Sequence, residues 1–131
     1  MIEWIDKYKT GIELIDKQHK ELFRLFNRIY ELYNNEFIID KYDQIITAIE
    51  ELKSYTKYHF EAEEEYMVSI RYKKFFEHKL KHEELINKID SIDYNIIDED
   101  QQSHLLELMK FLTEWLVQHV LIEDKQYVSI G

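Results

Sequence analysis

In the segment FFEHKLKHEELINKI, running from Phe75 to Ile89, His78 and His82 stand four residues apart, a spacing that puts both on one face of a helix. Imidazoles so placed can share one metal ion. Phe75, Leu85 and Ile89 continue the same stripe, so the pair occupies positions where a core would use leucine. His19, His59 and His119 fall on similar apolar stripes, and only His104 of the six histidines lies off them. A lone core histidine is ordinarily satisfied by a carbonyl or a water. Five are harder to satisfy, because each unpartnered buried polar group costs about 1–3 kcal/mol and a small core offers few acceptors. Neutral imidazole is the commonest protein ligand for zinc, copper, nickel and iron, so five converging histidines predict a metal site.

Carboxylates are harder to assign among 27 acidic residues. Glu63 follows His59 by four and extends its stripe, whereas Glu61, Glu64 and Glu65 read as a solvated face. Five histidines and a carboxylate are too many ligands for one tetrahedral zinc and fit two bridged ions better. The paired Glu-x-x-His motifs of ferritin-like di-iron proteins are not present. A histidine-rich centre keeps more positive charge than a carboxylate-rich one, which favours reversible ligand binding over oxygen activation.

Four helices must carry these side chains. Apolar positions advancing by threes and fours define them at about 16–35, 41–70, 73–93 and 101–123, after an arm of about 1–15. The stripes are Ile15, His19, Leu22, Phe26, Ile29 and Tyr33; then Ile45, Ile49, Leu52, Thr56, His59, Glu63 and Tyr66. The third comprises Phe75, His78, His82, Leu85, Ile89 and Ile92, and the fourth Leu105, Leu108, Leu112, Trp115, His119 and Ile122. Asp16 is the expected N-cap of the first helix, and NNEFIID and DYNIIDEDQQ read as short links. Short links make neighbours antiparallel, giving an all-α, up-down-up-down four-helix bundle in one domain, 1–131. His19 then lies early in its helix, His59 and Glu63 late, His78 and His82 early and His119 late, all at the same end.

Composition agrees with that architecture and narrows the partners. Two glycines and no proline leave little to make hairpins, and 45% hydrophobic with 34% charged residues suits a globular chain. A net charge of −10, without a concentrated basic face, makes nucleic acid and anionic membranes poor partners. The absence of cysteine removes disulfides, thiolate ligands and a cysteine nucleophile. Charges interrupt the first residues too often for a signal peptide or a membrane span, so a cytoplasmic location is expected. A monomer is expected as well.

The arm pattern W...Y..GI..ID.QH (Trp4, Tyr8, Gly11, Ile12, Ile15, Asp16, Gln18, His19), with HFEAEEEYM, HKLKH and WLVQHVLIEDKQY, resembles the hemerythrins, specifically the single-domain bacteriohemerythrins. The resemblance implies a non-heme di-iron centre: His78, His82 and His119 on one iron, His19 and His59 on the other, and Glu63 and Asp124 bridging both along with a hydroxide or oxide. The second iron is then one ligand short, and dioxygen would bind at that vacancy. Asp124 comes from the motif alone, since five residues after His119 is a rotation of about 500°, some 140° off the histidine's face on a regular helix. If it bridges, the helix must loosen between Val120 and Asp124. Neighbours of the ligands, Leu22, Phe60, Trp115, Leu116 and Val120, should line an apolar oxygen pocket.

Two departures from the family pattern leave the ligands untouched: Lys73 where a proline is common, and Leu85 where a phenylalanine is common. The resulting expectation is reversible dioxygen binding for storage, delivery or scavenging, with no catalytic residue set beyond the metal, hence not an enzyme. The alternatives are an oxygen or redox sensor, a di-iron enzyme acting on nitric oxide or peroxide, a di-zinc hydrolase, and a structural bundle with satisfied core histidines.

Overall fold

With so few helix breakers the chain forms long helices, seen here in a computed structural model that describes residues 3–128. Met1 and Ile2 of the expected arm, and the last three residues of the expected domain, lie outside the described residues. The arm contains one 3₁₀ turn, Asp6–Tyr8, and leads into α1, Glu13–Asn34. Then come α2, Tyr42–Ser69, α3, Phe75–Asp90, a short α4, Tyr94–Glu99, and α5, Gln101–Gln118. A π-helical turn, His119–Glu123, carries α5 into α6, Asp124–Val128. Late α2 meets early α1 and early α3, and the end of α5 meets early α3, so successive long helices run antiparallel as expected. No strand occurs among the described residues.

The core is the meeting of the four stripes. Ile15, Leu22, Phe26 and Ile29 of α1 are buried, as are Ile45, Ile49 and Leu52 of α2, Leu85 and Ile89 of α3, and Leu105 and Leu112 of α5. On α5 the buried face turns from the expected one: Met109 and Leu116 are buried, while Leu108 and Trp115 are half-buried and Ile122 is exposed. Ile122 faces solvent because it lies about 110° around the helix from the stripe of Leu105, Met109, Leu112 and Leu116.

Several boundaries differ from the sequence expectation. Helix α1 begins three residues earlier, so Asp16 is not its N-cap; its carboxylate reaches back to accept from Thr10 N–H and Oγ1–H at 2.7 and 2.8 Å and from Gly11 N–H at 3.2 Å. Asp16 therefore fastens the arm. Gly11 makes the required turn with φ +88°, a left-handed conformation that favours glycine. DYNIIDEDQQ is not a plain link but contains α4, capped by Asp93, which accepts from Asn95 N–H at 2.9 Å; Asp100 in turn caps α5 by accepting from Ser103 N–H at 3.2 Å. Helix α2 ends in a Schellman motif, Tyr72 N–H to Met67 C=O at 3.0 Å and Arg71 N–H to Val68 C=O at 3.1 Å, with Arg71 at φ 55° where glycine is usual.

Candidate metal centre

Helices α1, α2 and α3 and the π turn after α5 deliver the candidate ligands to the end of the bundle nearest the arm. His19 comes from α1, His59 and Glu63 from one turn of α2, His78 and His82 from the first half of α3, and His119 and Asp124 from the π turn and the residue after it. All seven are buried, with His19, Glu63 and Asp124 at 0% exposure. Asp124 gets there because its N–H bonds to the His119 carbonyl five residues back, so the turn holds one residue more than an α-helical turn. That is the loosening the motif required. The regular-helix expectation of a surface aspartate is thereby overturned.

These side chains form two clusters sharing both carboxylates: Glu63, His78, His82, His119 and Asp124 in one, and His19, His59, Glu63 and Asp124 in the other. Asp124 divides its oxygens, Oδ2 lying 2.9 Å from His19 Nε2 and Oδ1 lying 3.0 and 2.9 Å from Nε2 of His78 and His119. Glu63 does likewise, with Oε1 2.5 Å from His59 Nε2 and Oε2 4.0 Å from His78 Nε2. The Nε2 atoms of His78 and His82 each approach that of His119, at 3.1 and 3.0 Å. Yet Nε2 of His19 and His59, Oε1 of Glu63 and both oxygens of Asp124 make no hydrogen bond of acceptable geometry. Buried lone pairs this close, aimed at common points rather than at one another, are a donor set for cations. The nitrogen and oxygen donors suit iron, and two clusters joined by two carboxylates suit a di-iron cofactor.

The electrostatics of the cluster point the same way. Burial alone would lower the His19 pKa, but the Asp124 and Glu63 carboxylates outweigh it and raise it to about 10. Burial opposes ionisation of Asp124 too, yet the imidazoles of His119, His19 and His78 hold its carboxyl well below the usual range. His82 is pushed down, chiefly by burial. A bound cation would replace these shared protons.

Around the clusters the five expected pocket residues, Leu22, Phe60, Trp115, Leu116 and Val120, line a cavity of about 20 Å³ that also touches His59, His119 and Asp124. Phe60 lies flat on the His82 ring at 3.7 Å and 2°, and Trp115 stacks on His119 at 4.4 Å and 15°. His104 stands apart, half-buried, its Nδ1 3.9 Å from Glu107. Three further residues escaped the sequence reading. Tyr127, fully buried, donates its hydroxyl to Glu63 Oε2 at 2.8 Å; Gln18 Oε1 accepts from His59 Nδ1 at 2.7 Å; and Glu64 Oε2 lies 3.0 Å from His82 Nδ1, so it is not part of a solvated face. Gln18 and Tyr127 both lie inside the family motifs of the arm and of the last helix, which was the available signal.

Among the described residues no helix is long and apolar enough to cross a membrane. The family model for the hemerythrin HHE cation binding domain matches residues 10–130. A bacteriohemerythrin of Clostridium acetobutylicum is 44% identical over 129 residues, 98% of this chain and 100% of that protein. A bacteriohemerythrin of Pseudomonas aeruginosa is 31% identical over 126 residues, 96% of this chain and 78% of that protein, and a hemerythrin-like protein of Naegleria gruberi is 23% identical over 127 residues, covering 97% and 91%. With two buried clusters, shared carboxylates and these relatives, the chain belongs to the hemerythrin family.

Proposed function

We propose that this chain acts as a single-domain, cytoplasmic, monomeric protein that binds dioxygen reversibly at a di-iron centre, for storage, delivery or scavenging. In this reading His78, His82 and His119 would hold one iron and His19 and His59 the other, with Glu63 and Asp124 shared between them. The observation that carries it is the inequality of the clusters beside an apolar cavity: three imidazoles on one side, two on the other, with the same two carboxylates serving both. The chemistry an iron pair supplies, when bound, is a reversible two-electron exchange with dioxygen.

The protein's own residues decide that this exchange stays reversible. Leu22, Leu116, Val120 and Phe60 offer a diatomic gas no charge and deny water and anions a hydrogen-bonded foothold. About 20 Å³ is room for one small molecule. Gln18 keeps a proton on His59 Nδ1, so that Nε2 faces inward as a ligand, and the Tyr127 hydroxyl steadies Glu63 without competing for its Oε1.

Metal analysis and spectra of the purified protein test the reading. About two irons per chain are expected, together with an absorption band that develops in air after reduction and disappears under argon. Zinc alone would favour a hydrolase, an intact fold without metal would leave a structural bundle, and steady oxygen consumption would indicate an enzyme.

A further inference from the structure

The outer nitrogen of a metal-facing histidine sets its tautomer and its basicity through whatever it bonds. Among the described residues His82 and His59, one in each cluster, show such a partner, and the partners differ in charge. His82 Nδ1 lies 3.0 Å from the Glu64 carboxylate, and His59 Nδ1 lies 2.7 Å from the Gln18 amide oxygen. An ionised carboxylate and an amide oxygen can only accept, so both protons belong on Nδ1. Each Nε2 then faces the interior of the cluster with a lone pair, where His119 Nε2 lies 3.0 Å from that of His82 and Glu63 Oε1 lies 2.5 Å from that of His59.

The two acceptors are also housed differently. Gln18 is 3% exposed, inside the core. Glu64 has 21% of its side chain exposed, at the rim of a groove whose floor includes His82 and Phe60. Phe60, flat against His82, prevents that ring from rotating away. A negative charge bonded to an imidazole N–H pulls the proton toward itself and makes the other nitrogen a stronger electron donor, which an amide does far less.

We propose that Glu64 and Gln18 are positioning residues that add a difference in charge to the two iron positions. Glu64 lends His82 imidazolate character and so favours the ferric state of the three-histidine position. Gln18 fixes His59 without adding charge, so the two-histidine position gains no such bias. Both roles rest on the di-iron reading of the site.

Redox titration of the full-length iron-loaded protein, with iron retention against a chelator measured alongside, tests it in Glu64→Gln and Glu64→Ala. Glu64→Gln keeps an acceptor on His82 but removes the charge. It should hold two irons as the parent does while favouring reduction about tenfold, a rise of about 59 mV for a one-electron couple. Glu64→Ala should show a similar rise and, having lost the orienting contact, release iron some 10- to 100-fold more readily. A parent that holds two irons while Glu64→Gln keeps its midpoint potential would overturn the proposal and leave the di-iron reading standing. A parent that takes up no iron pair would overturn both.

Discussion

Leu22 stands one turn after His19 on α1, 3% exposed, and forms part of the wall around the 20 Å³ cavity. Truncating it to alanine removes packed carbon that the surrounding helices cannot fully replace, a change that costs about 2–5 kcal/mol in comparable cores. Taking about 3 kcal/mol, and an unfolding entropy near 2.1 cal/mol/K per residue over 131 residues, the Tm should fall by about 10 °C. Leu105→Ala supplies the comparison, because Leu105 is 0% exposed but sits on α5 about 21 Å along the helix from His119 and does not line the cavity. Its Tm should fall by a similar amount. The two should part in the lifetime of the oxygenated form. In Leu22→Ala the enlarged cavity gives water room beside the iron pair, so iron should oxidise severalfold faster in air. Thermal melts give the first quantity and the decay of the oxygenated absorption gives the second. A Leu22→Ala protein that melts early yet keeps the parent lifetime would refute the argument that a dry, tight wall protects the centre. So would a Leu105→Ala protein that oxidises just as fast as Leu22→Ala.

Asp124→Ala should leave four protein ligands in the three-histidine cluster and three in the other, so iron content after chelator challenge should fall from two to one per chain; retention of both would remove Asp124 from the bridge. Proton release should accompany metal uptake. His19 is raised to about 10 in the metal-free fold against 6.5 unfolded, so its contribution to metal-free stability is present below pH 6.5 and is lost as pH rises through about 10, whereas metal affinity should rise over that window as the competing proton leaves. Calorimetry of metal binding in buffers of different ionisation enthalpy would detect those protons, and identical heats would contradict the prediction. Arg71→Gly should raise stability by up to about 1 kcal/mol by removing a side chain from φ 55°, measurable as a shifted denaturation midpoint, with unchanged or lowered stability as the contrary outcome.

The sequence made most of the site legible because helical period and ligand type coincide: His19, His59, Glu63, His78, His82 and His119 could all be put on inward stripes at one end of an antiparallel bundle. Asp124 could not. A period of 3.6 residues turns it away from His119, and only an i→i+5 turn brings it back, which apolar spacing does not encode. Ile122, expected in the core, is exposed because the buried stripe of α5 runs through Met109 and Leu116 rather than Leu108 and Trp115. Glu64 was indistinguishable from Glu61 and Glu65 by residue type, and what singles it out is the position of His82 on another helix, a tertiary fact. Helix α4 was hidden because six residues with one buried side chain, Ile97, present no stripe to read. Asp16 had the right residue type for a cap, but its acceptors serve the arm behind it rather than the turn ahead.

Gas stoichiometry tests the central claim most directly. Metal-free protein loaded with ferrous iron under argon, then exposed to a measured quantity of dioxygen, should take up one molecule per two irons and return it when argon is restored. Dioxygen consumed without return, or uptake unchanged in a His78→Ala protein, would contradict the account.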